Sequence, residues 1–371
     1  MNKKILAAAA LAIVSGSAMA DANLYGIIDL SVANISNASG TQTLSAMGDG
    51  LWLPSLWGIK GSEDMGDGMT AHFNLESNLT ANTGNAGSTL FIRASNVGIK
   101  GDFGDITAGQ RLDPIWIQSV AEQAMGVRHV GSAGIATGVA AATNYQNPYG
   151  TNNLNTGAAV FGSNWLYYQA PQLVDNVTLN VGYQFGNVAG STTAASGTYF
   201  GATYAKNGLT VNLGAETQNN GTSPATSTNK VNRYLLGGMY SFGDFTVEAQ
   251  EMRVASSGLA RNALSSGYVD AQIGQAGLAY NVSSKLKVGI QYVFVNDNYL
   301  NSRPTLTTLG ADYGLSKRTH LYGVIENSNS ATTNISGQSQ ALAVGYSGGV
   351  STAGNVTSNA SLVAVGMYHT F

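Results

Sequence analysis

Seven tight turns punctuate this chain, each lying between two runs in which apolar and polar side chains alternate. They are Met65-Gly66-Asp67-Gly68, Asp102-Phe103-Gly104-Asp105, Val174-Asp175-Asn176, Lys206-Asn207-Gly208, Phe242-Gly243-Asp244, Val282-Ser283-Ser284-Lys285 and Leu315-Ser316-Lys317-Arg318. Alternation with a period of two is the signature of a strand, and a short Gly/Asn/Asp turn between two such runs joins antiparallel neighbours. Seven hairpins supply fourteen strands. An opening strand at residues 24–34 and a closing one at residues 361–371 raise the count to sixteen. A β-sandwich with one dry and one wet face shows the same alternation. Sixteen strands in succession, however, leave sheet edges that closure into a barrel removes, and bacterial outer-membrane barrels use even strand numbers.

The dyad period is clear in individual strands. Leu209, Val211, Leu213 and Ala215 face one way and Thr210, Asn212 and Glu216 the other, while Leu286, Val288, Ile290, Tyr292 and Phe294 repeat the pattern. In the closing strand Val363, Val365, Met367, His369 and Phe371 share a face, an apolar stripe ending on an aromatic ring. Aromatic rings are favoured at a membrane boundary. At the other end, Lys3 and Lys4 precede an apolar core and an Ala18-Met19-Ala20 pattern, so residues 1–20 read as a secretory signal peptide that is removed. Residues 21–371 are then expected to form a single outer-membrane barrel domain.

Composition narrows the function. Without Lys3 and Lys4, fifteen basic residues face 20 acidic ones, a formal charge of −5 that suggests no nucleic-acid partner. The chain has no cysteine, which removes disulfides, thiol nucleophiles and thiolate metal sites although it is exported. Charged residues make up 10% of the chain and mean hydropathy is +0.01, the average expected when half of each strand faces lipid and half faces water. His72, Asn74 and Glu76 share a strand face, but one histidine without further ligands reads as polar lumen lining, not a metal site. No Gly-x-Ser-x-Gly elbow, His-Glu-x-x-His or phosphate loop occurs. No catalytic residue, cofactor or metal is therefore expected. An outer-membrane barrel adhesin, or a barrel enzyme without a conducting pore, is the alternative reading.

Longer Ser/Thr/Asn/Gly-rich segments, at residues 37–50, 217–230 and 328–359, read as loops at the end opposite the tight turns. Residues 113–162 form the longest stretch without hairpin logic. They open on Pro114-Ile115-Trp116-Ile117, too apolar for a solvated external tail, and the barrel lumen is where such a segment packs.

The chain resembles the general, trimeric porins of Gram-negative bacteria. The resemblance rests on residues 24–29 (Leu-Tyr-Gly-Ile-Ile-Asp), 57–68 (from Trp57-Gly58-Ile59-Lys60-Gly61 to Gly68), 71–77 and 97–104, on Gly109-Gln110-Arg111 before Pro114, on residues 315–322 and on the closing strand. It implies an all-β fold, a sixteen-stranded antiparallel transmembrane β-barrel with a long constriction loop folded into the lumen. It also implies a homotrimer in outer-membrane lipid and lipopolysaccharide, passing small hydrophilic solutes and ions by passive diffusion through a water-filled channel. On that resemblance the constriction residues are expected among Lys60, Glu76, Arg93, Arg111, Asp113, Glu122 and Arg128, with His129 beside the last.

Strand phase directs Lys60 and Arg111 inward. Arg93 shares parity with Phe91, Val97 and Ile99, so strict alternation aims it at lipid unless a bulge between Arg93 and Asn96 turns it round. Leu56 and Phe161 stand where related pores often carry wall arginines. Inward cations are expected at Lys60, Arg111, Arg233 and Lys287, joined by Arg93 only if that bulge turns it, and inward anions at Asp29, Glu76, Glu216, Glu248 and Asp312. Neither sign dominates, so weak cation preference or near neutrality is expected.

Overall fold

The computed structural model describes residues 21–39, 42–86, 89–125, 160–219, 223, 230–257, 270–298, 303, 305–329, 345–346, 350–351 and 359–371. All seven expected turns close hairpins. They join β3 (Leu56–Gly66) to β4 (Met69–Asn78), β5 (Ala94–Gly101) to β6 (Gly104–Leu112), and β7 (Phe161–Gln169) to β8 (Val177–Gln184). They also join β9 (Gly197–Lys206) to β10 (Leu209–Asn219), β11 (Lys230–Phe242) to β12 (Phe245–Ser257), β13 (Asp270–Asn281) to β14 (Leu286–Asp297), and β15 (Thr305–Gly314) to β16 (Thr319–Asn329). Local chemistry sets these turns: Asn207 and Gly208 take φ of 52° and 82°, the left-handed pair that a two-residue hairpin requires.

β1 (Asp21–Ser39) opens the wall, and β19 (Ala360–Thr370) closes it, pairing from Ile27↔Thr370 to Ser36↔Ser361. Phe371 completes the closure by donating its N–H to Gly26 and accepting the Gly26 N–H, at 3.0 and 3.1 Å. Two further pieces, β17 (Gly345–Tyr346) and β18 (Val350–Ser351), form a separate small hairpin.

Between β1 and β3 lies β2 (Gln42–Asp49), and the residues 37–50 expected as a loop are largely strand, because β1 runs on to Ser39 and pairs with β2 as far as Ser39↔Gln42. β2 and β3 are two pieces of one wall strand. β2 leaves β1 at Leu30↔Asp49, and β3 rejoins it at Ile27↔Leu56. With those two pieces counted as one, the closed antiparallel wall has sixteen strands. Closure pairs the first wall strand with the last, so the sheet spans lipid with its backbone groups partnered inside the protein instead of at an open edge.

Side-chain burial follows the alternation. In β19, Val363, Val365 and Met367 are 53%, 64% and 49% exposed while Leu362 and Ala364 are buried. Leu213, Leu236, Ile290, Leu309 and Ile325 continue the outward apolar surface around the barrel. Near the tight-turn end, Tyr240, Phe242, Phe245 and Tyr280 form a run of ring contacts 4.7–5.8 Å between centroids on that outer face. Such an aromatic girdle belongs at a membrane–water interface. Among the described residues, Arg253 is an outer-face charge on β12, and it pairs with Asp270 towards the loop end, where a charge costs less than at the midplane.

Candidate functional site

Asp113 follows β6 and caps the helix α1 (Pro114–Ala121), its Oδ1 accepting the Trp116 N–H at 3.1 Å with proline at the first helical position. Asp-Pro is a helix-start signal, since the carboxylate satisfies a free N–H and proline has none to lose. Ile115, Trp116, Gln118 and Ser119 of this helix are buried against β9, β10 and β11, on the face of the wall opposite the exposed apolar surface. The segment 113–125 therefore lies on the inner wall. Residues 126–159, which include Arg128 and His129, fall outside the described residues.

Bare backbone on the wall receives the segment. A methyl group on Gly214 would meet Gln118 and Ile115, one on Gly237 would overlap the Glu122 carboxyl, and one on Gly289 would overlap Met125. Hydrogen bonds then fix the path. Gln118 Nε2 donates to Leu213 O at 3.1 Å, Asn212 Nδ2 to Glu122 Oε1 at 2.8 Å, and Gln250 Nε2 to Ser119 O at 2.9 Å. Gln291 Nε2 reaches both Gln123 Oε1 (2.5 Å) and Glu248 Oε1 (2.9 Å), and Glu248 also accepts the Ala124 N–H. These glutamines carry no charge and gave no sequence signal beyond their inward parity, yet they hold the segment to β12 and β14.

Two charge clusters sit beside it. Arg233 Nη1 donates to Glu216 Oε1 at 2.6 Å and lies 3.6 Å from Asp113 Oδ2, all three side chains buried. Arg111 turns inward as expected, its guanidinium 3.4 Å from the centroid of Tyr167, which stacks on Tyr199. Strand parity sets that direction, and the break in register between Gly109 and Arg111, which arises from β7, where Asn164 takes φ of 61°, leaves it unchanged. Burial pushes the Asp113 carboxyl up from its ordinary range, and the Arg233 charge pulls it part of the way back. Burial also pushes Glu122 up to about 8, with the Asn212 hydrogen bond opposing and the nearby Glu248 adding to the rise.

Lys60 faces inward, its ammonium 5.0 Å from the centroid of Tyr25. Tyr25 in turn donates its hydroxyl towards Asn74 (2.9 Å) and Glu76 (2.7 Å). Arg93 also faces inward, bonded to Glu76 at 2.5 Å and to Asn78 at 3.2 Å. The expected bulge between Arg93 and Asn96 is absent, for β5 pairs without a break with β4 from Glu76↔Ala94 to Thr70↔Lys100. Arg93 precedes the strand, in a turn where Phe91 takes φ of 57°, so strand parity never applies to it. His72 bonds Asp105 at 2.9 Å, apart from Asn74 and Glu76. Phe161 lies 5.9 Å from the Arg93 guanidinium.

A closed sixteen-stranded wall, apolar outside, carrying an inner segment with opposed charges, can conduct water and small ions past fixed charges. The family model for Gram-negative porins matches residues 7–333. The chain belongs to the Gram-negative porin family. Outer membrane porin protein 32 of Delftia acidovorans is 28% identical over 385 residues, covering 100% of both chains. The anion-selective porin from Comamonas acidovorans superposes with a TM-score of 0.78 at 21% identity, over 95% of this chain and 100% of that one. A trimer form of OmpT, an outer-membrane protein of Vibrio cholerae, gives 0.63 at 14% identity over 95% and 99%. The protein is an outer-membrane channel, and members of this family are channels, not enzymes.

Proposed function

We propose that this porin is a homotrimer, each barrel passing small hydrophilic solutes and ions without energy input, with its narrowest point where segment 113–125 faces the wall arginines. The observation that carries the reading is the hydrogen-bonded seat of that segment on β10, β12 and β14. The segment carries Asp113 to within 3.6 Å of Arg233 and Glu122 onto Asn212, while Arg111, over Tyr167, and the Arg93–Glu76 pair line the inner wall elsewhere. Solutes are sieved there by width and by a transverse field, which low-dielectric walls screen poorly. The trimer form of an OmpT neighbour supports the assembly, with outer-membrane lipid and lipopolysaccharide around the outer wall. Residues 1–20 serve as the export signal. The chain carries no catalytic activity.

Opposite charges pair off in this region. Arg233 is matched by Glu216 and Asp113, and Arg93 by Glu76, leaving Lys60 and Arg111 as the less compensated cations. Glu122 and Glu248, held by Asn212, Gln275 and Gln291 instead of by a cation, offset them, which supports near-neutral selectivity, in contrast to the solved porin described as anion-selective. Deleting residues 118–138 tests the constriction: the conductance step should rise and larger sugars should enter in a liposome-swelling assay. An unchanged exclusion limit in a folded, heat-modifiable trimer refutes it.

A further inference from the structure

Six residues, 50–55, stand opposite only Ile28 and Asp29 of β1, between the end of β2 and the start of β3. Such an excess cannot stay in the wall. The chain turns inward, with Gly50 at φ of 65°, and buries Leu51 and Trp52. Asp29 fastens the turn. Its Oδ2 accepts the N–H groups of Trp52 and Leu53, both at 2.7 Å, its Oδ1 accepts the Tyr322 hydroxyl at 2.6 Å, and its own N–H donates to Ser55 Oγ at 3.0 Å. The Trp52 ring packs on Tyr322 with centroids 5.2 Å apart.

Met125 of the inner segment meets this turn. A methyl group on Gly310 would stand 3.0 Å from Trp52 Cη2 and 3.1 Å from Met125 Sδ, so the two side chains share one bare patch of β15. Both are buried within the same apolar cluster. The Asp29 carboxylate thus acts as an anchor for the turn, not as a charge presented to solutes.

We propose that the inward turn at residues 50–55 is a second constriction element of this pore, in which Trp52, held by Asp29, clamps Met125 and so positions the inner segment at that residue. The inference rests on the channel reading above. Asp113 and Arg233 fix the segment where it leaves β6, the glutamines of β12 and β14 hold its middle, and Trp52 fixes Met125. Trp52 is a positioning residue.

Trp52→Ala, Met125→Ala, the double variant and Trp52→Phe, each in the full-length trimer in planar bilayers, test the proposal. Trp52→Ala should raise single-channel conductance about 1.5-fold, admit larger neutral polymers and add open-channel flicker, because the loosened segment no longer narrows the lumen. Met125→Ala should do the same, the double variant should go no further than either single one, and Trp52→Phe should restore the quiet, narrow channel. Conductance, flicker and exclusion limit unchanged in Trp52→Ala, or effects that add in the double variant, overturn the clamp. Should a single variant fail to assemble, the Trp52→Phe channel decides: flicker and widening there, in a folded trimer, also overturn it. Absence of any conductance from the unmodified protein would instead overturn the channel reading, so the two failures are distinct.

Discussion

Glu122 is the buried acid that the pore should reveal by titration. Its side chain has no exposure, one oxygen accepts from Asn212, and burial lifts it to about 8. A carboxyl with that value is about one-tenth ionised at pH 7 and about nine-tenths at pH 9. The sign is fixed by the direction of the shift: the neutral form suits the folded barrel, so its stabilising contribution is complete below the ordinary value near about 4.3 and fades as pH climbs through the raised one. Raising pH from 6 to 9 therefore places a new negative charge beside the segment 113–125. For a tenfold salt gradient a perfectly selective channel gives about 59 mV, and one added charge among paired ones should move the zero-current potential by on the order of 10 mV towards cations. Glu122→Gln keeps the Asn212 hydrogen bond and cannot ionise. It should lessen the pH dependence between pH 7 and 9. A variant that titrates as the unmodified channel does would refute the assignment of the shift to Glu122.

Two other substitutions probe the wall. Arg111→Glu removes the cation stacked on Tyr167 and should move the zero-current potential towards cations at pH 7, since among the described residues no carboxylate forms a salt bridge with Arg111. Gly237→Ala should cost about 1–3 kcal/mol of stability to heat or denaturant through overpacking against the Glu122 carboxyl, and the double variant with Glu122→Ala should recover most of that loss.

The barrel was legible because its signals are local. A Gly-rich turn such as Asn207-Gly208 needs only its own backbone angles, and inward or outward facing needs only parity, so sixteen strands and the directions of Lys60, Arg111, Glu216 and Glu248 follow from neighbouring residues. Arg93 was not legible by the same means. Its direction comes from a turn at Phe91 and a partner seventeen positions away, Glu76, neither of which the alternation encodes. The seat of segment 113–125 was harder still. Gly237 and Gly289 look like ordinary strand glycines until register sets them beneath Glu122 and Met125. The turn at residues 50–55 reads as apolar chain near a strand start. Only the pairing of β1 with both β2 and β3 shows that four more residues stand there than its wall can hold.

Planar-bilayer recording of the purified, heat-modifiable protein measures the central claim directly. Water-filled barrels assembled in threes predict stepwise conductance, linear in salt concentration and appearing in triplets of equal size. Folded protein that inserts into the bilayer and gives no steps would contradict the claim.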